Sequence, residues 1–444
     1  MNNSIFALFM TKRTVFYWVG ILLLTGCGYR APLYQSYIPQ VQDTTEYPGV
    51  RPGFQELAAL LEKDTGLSPT PGNTVTLFPD GHKKWDMMLE DLDYADKSIY
   101  MDYYVFRTDS VGTTVKNILR QKARDGVDVR VILDKVANNR EDLEELATLQ
   151  DDDVNLGIFH KPVMLVDYVW PKIGTHRDHR KILLIDGQIG YLGGRNIQDE
   201  YFFDWRDADI RITGPVVADI SAVFQENQER VAPQLDPVYV AEDLNKAAEM
   251  DNLPEMKQFT DVTVQIIPES PSDKVLPLRN CFEWALYSAR NYFWFYNPYT
   301  PPPASTIQAL KDAAARGVDV RWIAPAINDI TVEKWTGESL YKDLLEAGVR
   351  IYEWQDHVLH AKQFIMDDYL LAMGSANMDN LSFFLNYEVE ALVYDEETTR
   401  YASYTFLSDI ENNCREIHLE NVKNWSIVRK IRNWLALHIG GPVG

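Results

Sequence analysis

The sequence predicts an α/β protein built from two similar halves. Three observations carry that expectation. "HRKILLID" (179–186) returns as "HAKQFIMD" (360–367), so the pattern His-x-Lys-x-x-x-x-Asp occurs twice in one chain. Each copy is followed by a small pair (Gly193-Gly194, Gly374-Ser375), by an Asn (Asn196, Asn377) and by a carboxylate (Asp207, Glu388), each at the same offset from its His in both copies. Each copy is also preceded by the same strand–helix–strand order, with "RDGVDVRVI" answered by "ARGVDVRWI" at the second junction. Agreement at so many fixed offsets indicates an internal duplication.

Taken in order, the chain opens with Lys12 and Arg13, the apolar run "VFYWVGILLL" and then "LTGC", ending at Cys27. A short basic region, a short apolar run and small residues read as an export signal rather than a spanning helix. A Cys at that boundary resembles the lipobox of bacterial lipoproteins, which implies cleavage after residue 26 and lipidation of Cys27. The alternative is an ordinary signal or anchor helix with an incidental Cys. Residues 27–72, rich in Pro, Gly, Tyr and polar side chains, read as a tether carrying one short helix, "FQELAALLEK".

The duplicated body follows. "KSIYMDYYVF" reads as a strand, "TTVKNILRQKARDG" as an amphipathic helix stopped by Gly126, and "VDVRVILD" as a second strand. "NYFWFYNPY", "STIQALKDAAARG" and "VDVRWIAP" repeat the series. Strand, helix, Gly stop and strand form a crossover unit, which requires a mostly parallel or mixed sheet. The halves span 73–250 and 251–444, joined by the acidic stretch "YVAEDLNKAAEMDNLPEMKQ".

Bulk composition narrows the function. At 444 residues the chain has ample length for large cores, and its net charge of −22 argues against a nucleic-acid partner, because phosphate backbones select basic surfaces. Apart from Cys27 there are only Cys281 and Cys414, which could pair or stay as thiols.

The motif has its own chemistry. Apolar runs around a turn place each His-Lys pair on a strand entering a hairpin, where alternate residues share a face. His179 with Lys181, and His360 with Lys362, therefore point the same way. One such pair is noise. Two, brought together between the halves, provide two imidazoles and two ammoniums around one cavity. The ammoniums and the amides of Asn196 and Asn377 suit the non-bridging oxygens of a phosphodiester. One imidazole can attack phosphorus and the other can move protons for the leaving and incoming alcohols. Asp207 and Glu388 are candidates to orient the imidazoles, and which one serves which His stays open. Asp186 and Asp367 fall near the turns and read as supporting residues. A zinc reading, suggested by the repeated His176 and His357, is disfavoured because HxxH on a strand sends the rings to opposite faces. Neither metal nor cofactor is expected.

These paired motifs, with "GGRN" and "GSANMDNLSF" downstream, resemble the phospholipase D superfamily over roughly residues 75–415, and its bacterial cardiolipin synthases most of all. "DWRDADIRITGP" and "NYEVE" match further segments of that group. The resemblance implies two phospholipase D-like α-β-α sandwich halves related by a pseudo-twofold axis, with one shared active site. It also implies His179 as nucleophile, His360 as acid/base, and Lys181, Lys362, Asn196 and Asn377 as phosphate clamps. Asp178 stands where a neutral residue is common, and Leu381 where Arg is frequent.

The implied activity is a phosphatidyl transfer that joins two phosphatidylglycerols and releases glycerol. Water as acceptor would make the protein a phospholipase D instead. A membrane-anchored monomer in the bacterial cell envelope, facing the periplasm or exterior, is expected. Acceptor choice falls to loops such as 151–176 and 325–345. At the C-terminus, Ile427, Val428, Ile431, Trp434 and Leu435 fall within an arc of about 120° on a helix. That helix either lies on an anionic membrane surface or packs on its own domain.

Overall fold

A computed structural model describes residues 46–159, 176–244, 256–271 and 274–440. The signal segment, Cys27 and the tether up to residue 45 lie outside the described residues, as does the middle of the linker. The strands are β1 (Thr70–Phe78), β2 (Ser98–Tyr103), β3 (Asp128–Asp134), β4 (Asn155–Phe159), β5 (Lys181–Ile185), β6 (Ile189–Gly193), β7 (Asp209–Thr213) and β8 (Gln258–Glu269). They continue with β9 (Tyr292–Tyr296), β10 (Asp319–Pro325), β11 (Arg350–Trp354), β12 (Gln363–Met366), β13 (Leu370–Gly374), β14 (Glu388–Tyr394) and β15 (Cys414–Ile417).

All fifteen join in the order β15-β11-β10-β9-β12-β13-β14-β8-β1-β7-β6-β5-β2-β3-β4. Outward from the central β8-β1 pair, both arms have the same plan. β1, β7, β6, β5, β2, β3 and β4 answer β8, β14, β13, β12, β9, β10 and β11, and only β15 has no counterpart among the described strands. The crossover pairs β2/β3 and β9/β10 are parallel, whereas the motif hairpins β5/β6 and β12/β13 are antiparallel. The expected mixed α/β architecture is therefore present, doubled about one axis.

The equivalent crossover helices, Ser110–Arg124 and Ala304–Ala315, end in the same way. Gly126 and Gly317 each adopt φ +92°, a conformation that penalises a Cβ. Val127 and Val318 then donate their N–H to Lys122 O and Ala313 O at 3.0 and 3.1 Å, closing the helix terminus and starting the next strand.

Side-chain alternation along the strands splits the interior into three cores. On β5, Leu183 and Ile185 face an outer core of the first half, while Ile182 and Leu184 face a core shared by both halves. On β12, Phe364 and Met366 face the second outer core and Ile365 the shared one. The shared core combines Leu184, Ile212 and Phe224 with Trp294, Ile365 and Phe406. Burial of this kind contributes roughly 25 cal/mol per Å² of apolar surface. It holds the halves, and hence both motifs, in one fixed relation.

One tether element belongs elsewhere than its position suggests. The helix Gln55–Thr65 sends Leu57, Leu60 and Leu61 into the outer core of the second half, beside Leu278 and Phe282. Cys281 and Cys414 are both free thiols, so they do not pair.

Candidate active site

Each His-Lys motif is positioned by the opposite half. The N–H of His179 donates to Tyr387 O (2.9 Å), and the N–H of Tyr387 donates to Arg177 O (2.8 Å). In mirror fashion the N–H of His360 donates to Arg206 O (2.8 Å), and that of Arg206 to Val358 O (2.9 Å). These bridges correct one expectation. β5 begins at Lys181 and β12 at Gln363, so both histidines stand just before their strands rather than on them. Their backbone hydrogen bonds are taken across the molecule, in short parallel bridges at Asp178/Tyr387 and Arg206/Leu359.

Tyr387 and Arg206 immediately precede Glu388 and Asp207, so the bridges also deliver the carboxylates. Nδ1 of His179 lies 2.9 Å from Glu388 Oε1, and Nδ1 of His360 lies 2.7 Å from Asp207 Oδ2. Each carboxylate, though it follows the histidine of its own half in sequence, serves the histidine of the other half. With Nδ1 so engaged, Nε2 of His179 is left for chemistry, while Nε2 of His360 lies 3.1 Å from Lys362 Nζ.

Glu388 is held in turn by Ser375 Oγ (2.6 Å) and Ser382 Oγ (2.7 Å), and Asp207 by the N–H of Ala208 (2.8 Å). The small residue pair now has a physical reason. A Cβ on Gly194 would lie 2.2 Å from Asp207 Oδ1, and one on Gly374 would lie 2.2 Å from the backbone oxygen of Val389. At the position equivalent to Gly194, Ser375 fits and supplies a hydroxyl.

Both lysines are buried and turned back on their motifs. Nζ of Lys181 donates to His179 O and Nζ of Lys362 to His360 O, each at 2.5 Å. Burial lowers Lys181 to about 7 and Lys362 to about 8; Glu388 and Asp207 oppose this, while the charge of Lys362 adds to it at Lys181. Burial also lowers both histidines, His360 to about 4, where the charge of Lys362 adds to the effect. Burial alone would raise the carboxylates. His360 and Lys362 nonetheless hold Asp207 far below its ordinary value, and His179 and Lys181 hold Glu388 down as well. Each imidazole therefore sits against a carboxylate held down in its ionised form, beside an ammonium that burial makes easier to titrate.

Asn196 and Asn377 are both buried. Asn196 Oδ1 accepts from the N–H of Val105 (3.0 Å), whereas Asn377 Oδ1 has no partner among the described residues. Asp186 and Asp367 bond to backbone rather than to the histidines. Asp186 accepts from the N–H groups of Asp96 (2.9 Å), Lys97 (2.7 Å) and Ser98 (2.8 Å), pinning the start of β2. Asp367 accepts from those of Arg290 (2.8 Å), Asn291 (2.7 Å) and Tyr292 (2.9 Å), pinning β9. Asp178 lies behind His179 in a buried network, 3.0 Å from Arg180 Nε and bonded to Asn227. His357 is exposed beside Asp356. Among the described residues no group of three or more His, Cys, Asp or Glu could hold a metal ion.

Sequence spacing missed the aromatic walls. Tyr104 meets the His179 ring edge-on at 4.8 Å. Tyr201, Trp205 and Tyr299 surround the His360 ring at 5.0, 5.6 and 5.6 Å. Only the family-like segment "DWRD" overlaps this set, through Trp205. Leu381 is half-buried on the short helix Asn380–Phe384. Of the two candidate acceptor loops, the first, 151–176, has its residues 160–175 outside the described residues. The other places Asp329 on the hydroxyl of Tyr299 (2.8 Å).

Comparison with known proteins decides the family. The model described as "Cardiolipin synthase, PLD-like domain" matches residues 88–230 and 284–410, one stretch in each half. The chain belongs to the phospholipase D superfamily, in its cardiolipin synthase group. Cardiolipin synthase 2 of Bacillus anthracis is 33% identical over 389 residues, covering 85% of this chain and 72% of that protein. Cardiolipin synthase 2 of Staphylococcus epidermidis is 30% identical over 374 residues, covering 81% and 72%. Among solved structures, a phosphatidylserine synthase of Haemophilus influenzae matches with a TM-score of 0.62 at 16% identity. It covers 87% of this chain and 98% of that one, a likeness of fold. The duplicated phospholipase D architecture expected from the paired motifs is thus established.

Proposed function

We propose that this protein is a membrane-anchored phosphatidyltransferase that makes cardiolipin from two phosphatidylglycerols. The observation that carries the reading is the exchange of carboxylates between two buried His-Lys pairs, which makes one symmetric site from both halves. The cardiolipin synthase relatives support the choice of substrate.

The first phosphatidylglycerol binds with its phosphodiester between Lys181 and Lys362, and Asn196 and Asn377 complete the clamp. Nε2 of His179, its Nδ1–H held by Glu388, attacks phosphorus. The bond from phosphorus to the glycerol oxygen breaks, and His360 protonates that oxygen. Burial and the Lys362 charge by themselves keep His360 neutral. The bound phosphodiester anion offsets the lysine charge, and Asp207 on Nδ1 then favours the imidazolium needed for this step. Glycerol leaves. A hydroxyl of the second phosphatidylglycerol gives its proton to His360 and attacks phosphorus, breaking the bond to His179 and releasing cardiolipin. Clamping and in-place charge stabilisation are worth the most where water is excluded, as burial of all four side chains provides.

One chain completes the site, which favours a monomer. Lipidation at Cys27 would keep the protein in the bacterial cell envelope, with residues 73–250 and 251–444 as its two halves. Among the described residues no helix is long and apolar enough to cross a membrane.

The test uses phosphatidylglycerol labelled in its free glycerol. The purified chain is expected to release one glycerol per cardiolipin, and His179→Ala and His360→Ala to abolish both products. Phosphatidic acid as the sole lipid product would make water the acceptor and reject the transferase.

A further inference from the structure

The helix Ile427–Leu435 packs on the protein the wrong way round for an ordinary terminal helix. Its polar side faces the domain. Arg429 Nε and Arg432 Nη2 donate to Glu338 Oε2 at 3.0 and 2.6 Å, and Asn433 Nδ2 donates to the same oxygen at 2.9 Å. Glu338 is only 3% exposed, on the helix Thr331–Glu346. The Arg429 guanidinium also lies 3.8 Å over Trp425, and that of Arg432 4.8 Å over Trp335. Because these three residues are tied to one buried carboxylate, the apolar face must point away. Ile427 and Val428 are 69% and 72% exposed, and Ile431 and Trp434 are more than half exposed.

Two observations say what covers that face. Exposed Lys423 and Lys430 flank it, in a chain whose net charge is −22, so the surface suits anionic groups next to apolar ones. It also runs toward the active site. The supporting helix carries Trp335 under Arg432 on its first turns, and the exposed Ile327, Ile330 and Val332 sit at and just before its start. Between those residues, Asp329 accepts from the hydroxyl of Tyr299, whose ring is 5.6 Å from that of His360. An apolar helix face with cationic flanks, continued by an apolar rim one side chain from a catalytic candidate, is what an interfacial lipid enzyme requires.

We propose that the Ile427–Leu435 face and the Ile327–Val332 rim form one docking surface for an anionic phospholipid bilayer, seating the active-site mouth against the lipid. This rests on the phosphatidylglycerol reading of the site. It adds a second attachment to the N-terminal one, and this second contact fixes how the active site faces the lipid.

The test uses the full-length chain with phosphatidylglycerol vesicles containing bromine-labelled acyl chains. Because the N-terminal anchor can keep the protein on vesicles in every case, the readout is local. The bromines are expected to quench a component of tryptophan fluorescence that Trp434→Phe removes. A variant with Ile427, Val428, Ile431 and Trp434 all changed to Ser is expected to lose roughly tenfold or more of its turnover on vesicles. It should keep the wild-type rate on short-chain phosphatidylglycerol dispersed as single molecules. No quenching at Trp434, or wild-type vesicle turnover by the four-Ser variant, would overturn the proposal. So would a dimer in detergent that the Ser changes dissolve, which would make the face a contact between copies. If the wild type turned over neither substrate, the functional reading would fail, and the quenching would still decide the docking surface.

Discussion

Glu388→Gln and Asp207→Asn separate the two histidines, because each removes a charge from the ring of the opposite half. Glu388 lies 2.9 Å from Nδ1 of His179 and Asp207 lies 2.7 Å from Nδ1 of His360, all four side chains being buried. Loss of a buried carboxylate behind a catalytic imidazole lowers turnover by about 10⁴, or roughly 5 kcal/mol of transition-state stabilisation. Gln at position 388 can still bond to Ser375 and Ser382, at a folding penalty of about 1–3 kcal/mol for the imperfect match. On phosphatidylglycerol both variants should therefore fold and both should fail. A phosphodiester with a p-nitrophenyl leaving group distinguishes them, because nitrophenolate departs without a proton. Asp207→Asn should then recover by about 10²-fold or more, the usual worth of general acid catalysis, while Glu388→Gln stays inactive. Release of nitrophenolate is followed by absorbance in a stopped-flow burst. Recovery by Glu388→Gln and not by Asp207→Asn would refute the assignment of His179 as nucleophile with Glu388 behind it.

The pH profile of kcat/KM should be bell-shaped. Burial lowers Lys181 to about 7 and Lys362 to about 8, so both ammoniums are present below those values and are lost as pH rises through them. His179, lowered from 6.5, must be neutral to attack, so the acid limb lies below 6.5; a rate still rising at pH 10 would contradict the clamp. Asp186→Ala and Asp367→Ala each strip an acceptor from three backbone N–H groups, and should lower stability by roughly 2–4 kcal/mol in urea titrations while the folded enzyme keeps its turnover. Gly194→Ala should behave as a catalytic lesion, since the added Cβ would lie 2.2 Å from Asp207 Oδ1 and must move that carboxylate off His360. A folded Gly194→Ala protein with wild-type turnover would show that Asp207 need not stay on the ring.

Much of this was legible in the residues because duplication leaves its mark at fixed offsets. The His-Lys pairs, the Asn positions, the small pairs and the downstream carboxylates all repeat, and so do the crossover units with Gly126 and Gly317. The exchange of carboxylates was not legible. It follows from the central β1/β8 pair and the shared core, which bring Tyr387 to His179 and Arg206 to His360, and no local spacing encodes that association. For the same reason the histidines read as strand residues, although their hydrogen bonds cross to the other half. The helix Gln55–Thr65 was recognised from its periodicity, but its host was not, because a helix face is complementary to any apolar surface of the right shape. The Tyr and Trp walls carry no spacing signal at all. For the C-terminal helix it is Glu338, far upstream of Asn433 in the chain, that decides which face turns outward.

The most direct test of the account is to catch the intermediate. The chain is mixed with phosphatidylglycerol carrying radiolabelled phosphorus, quenched in alkaline denaturant within one turnover, and digested for peptide mapping. Labelled phosphatidyl should sit on the peptide containing His179, should vanish in His179→Ala, and should accumulate with the nitrophenyl substrate in His360→Ala, where no base activates the acceptor. Label on His360, or turnover to cardiolipin with no covalent adduct at any time, would contradict the mechanism.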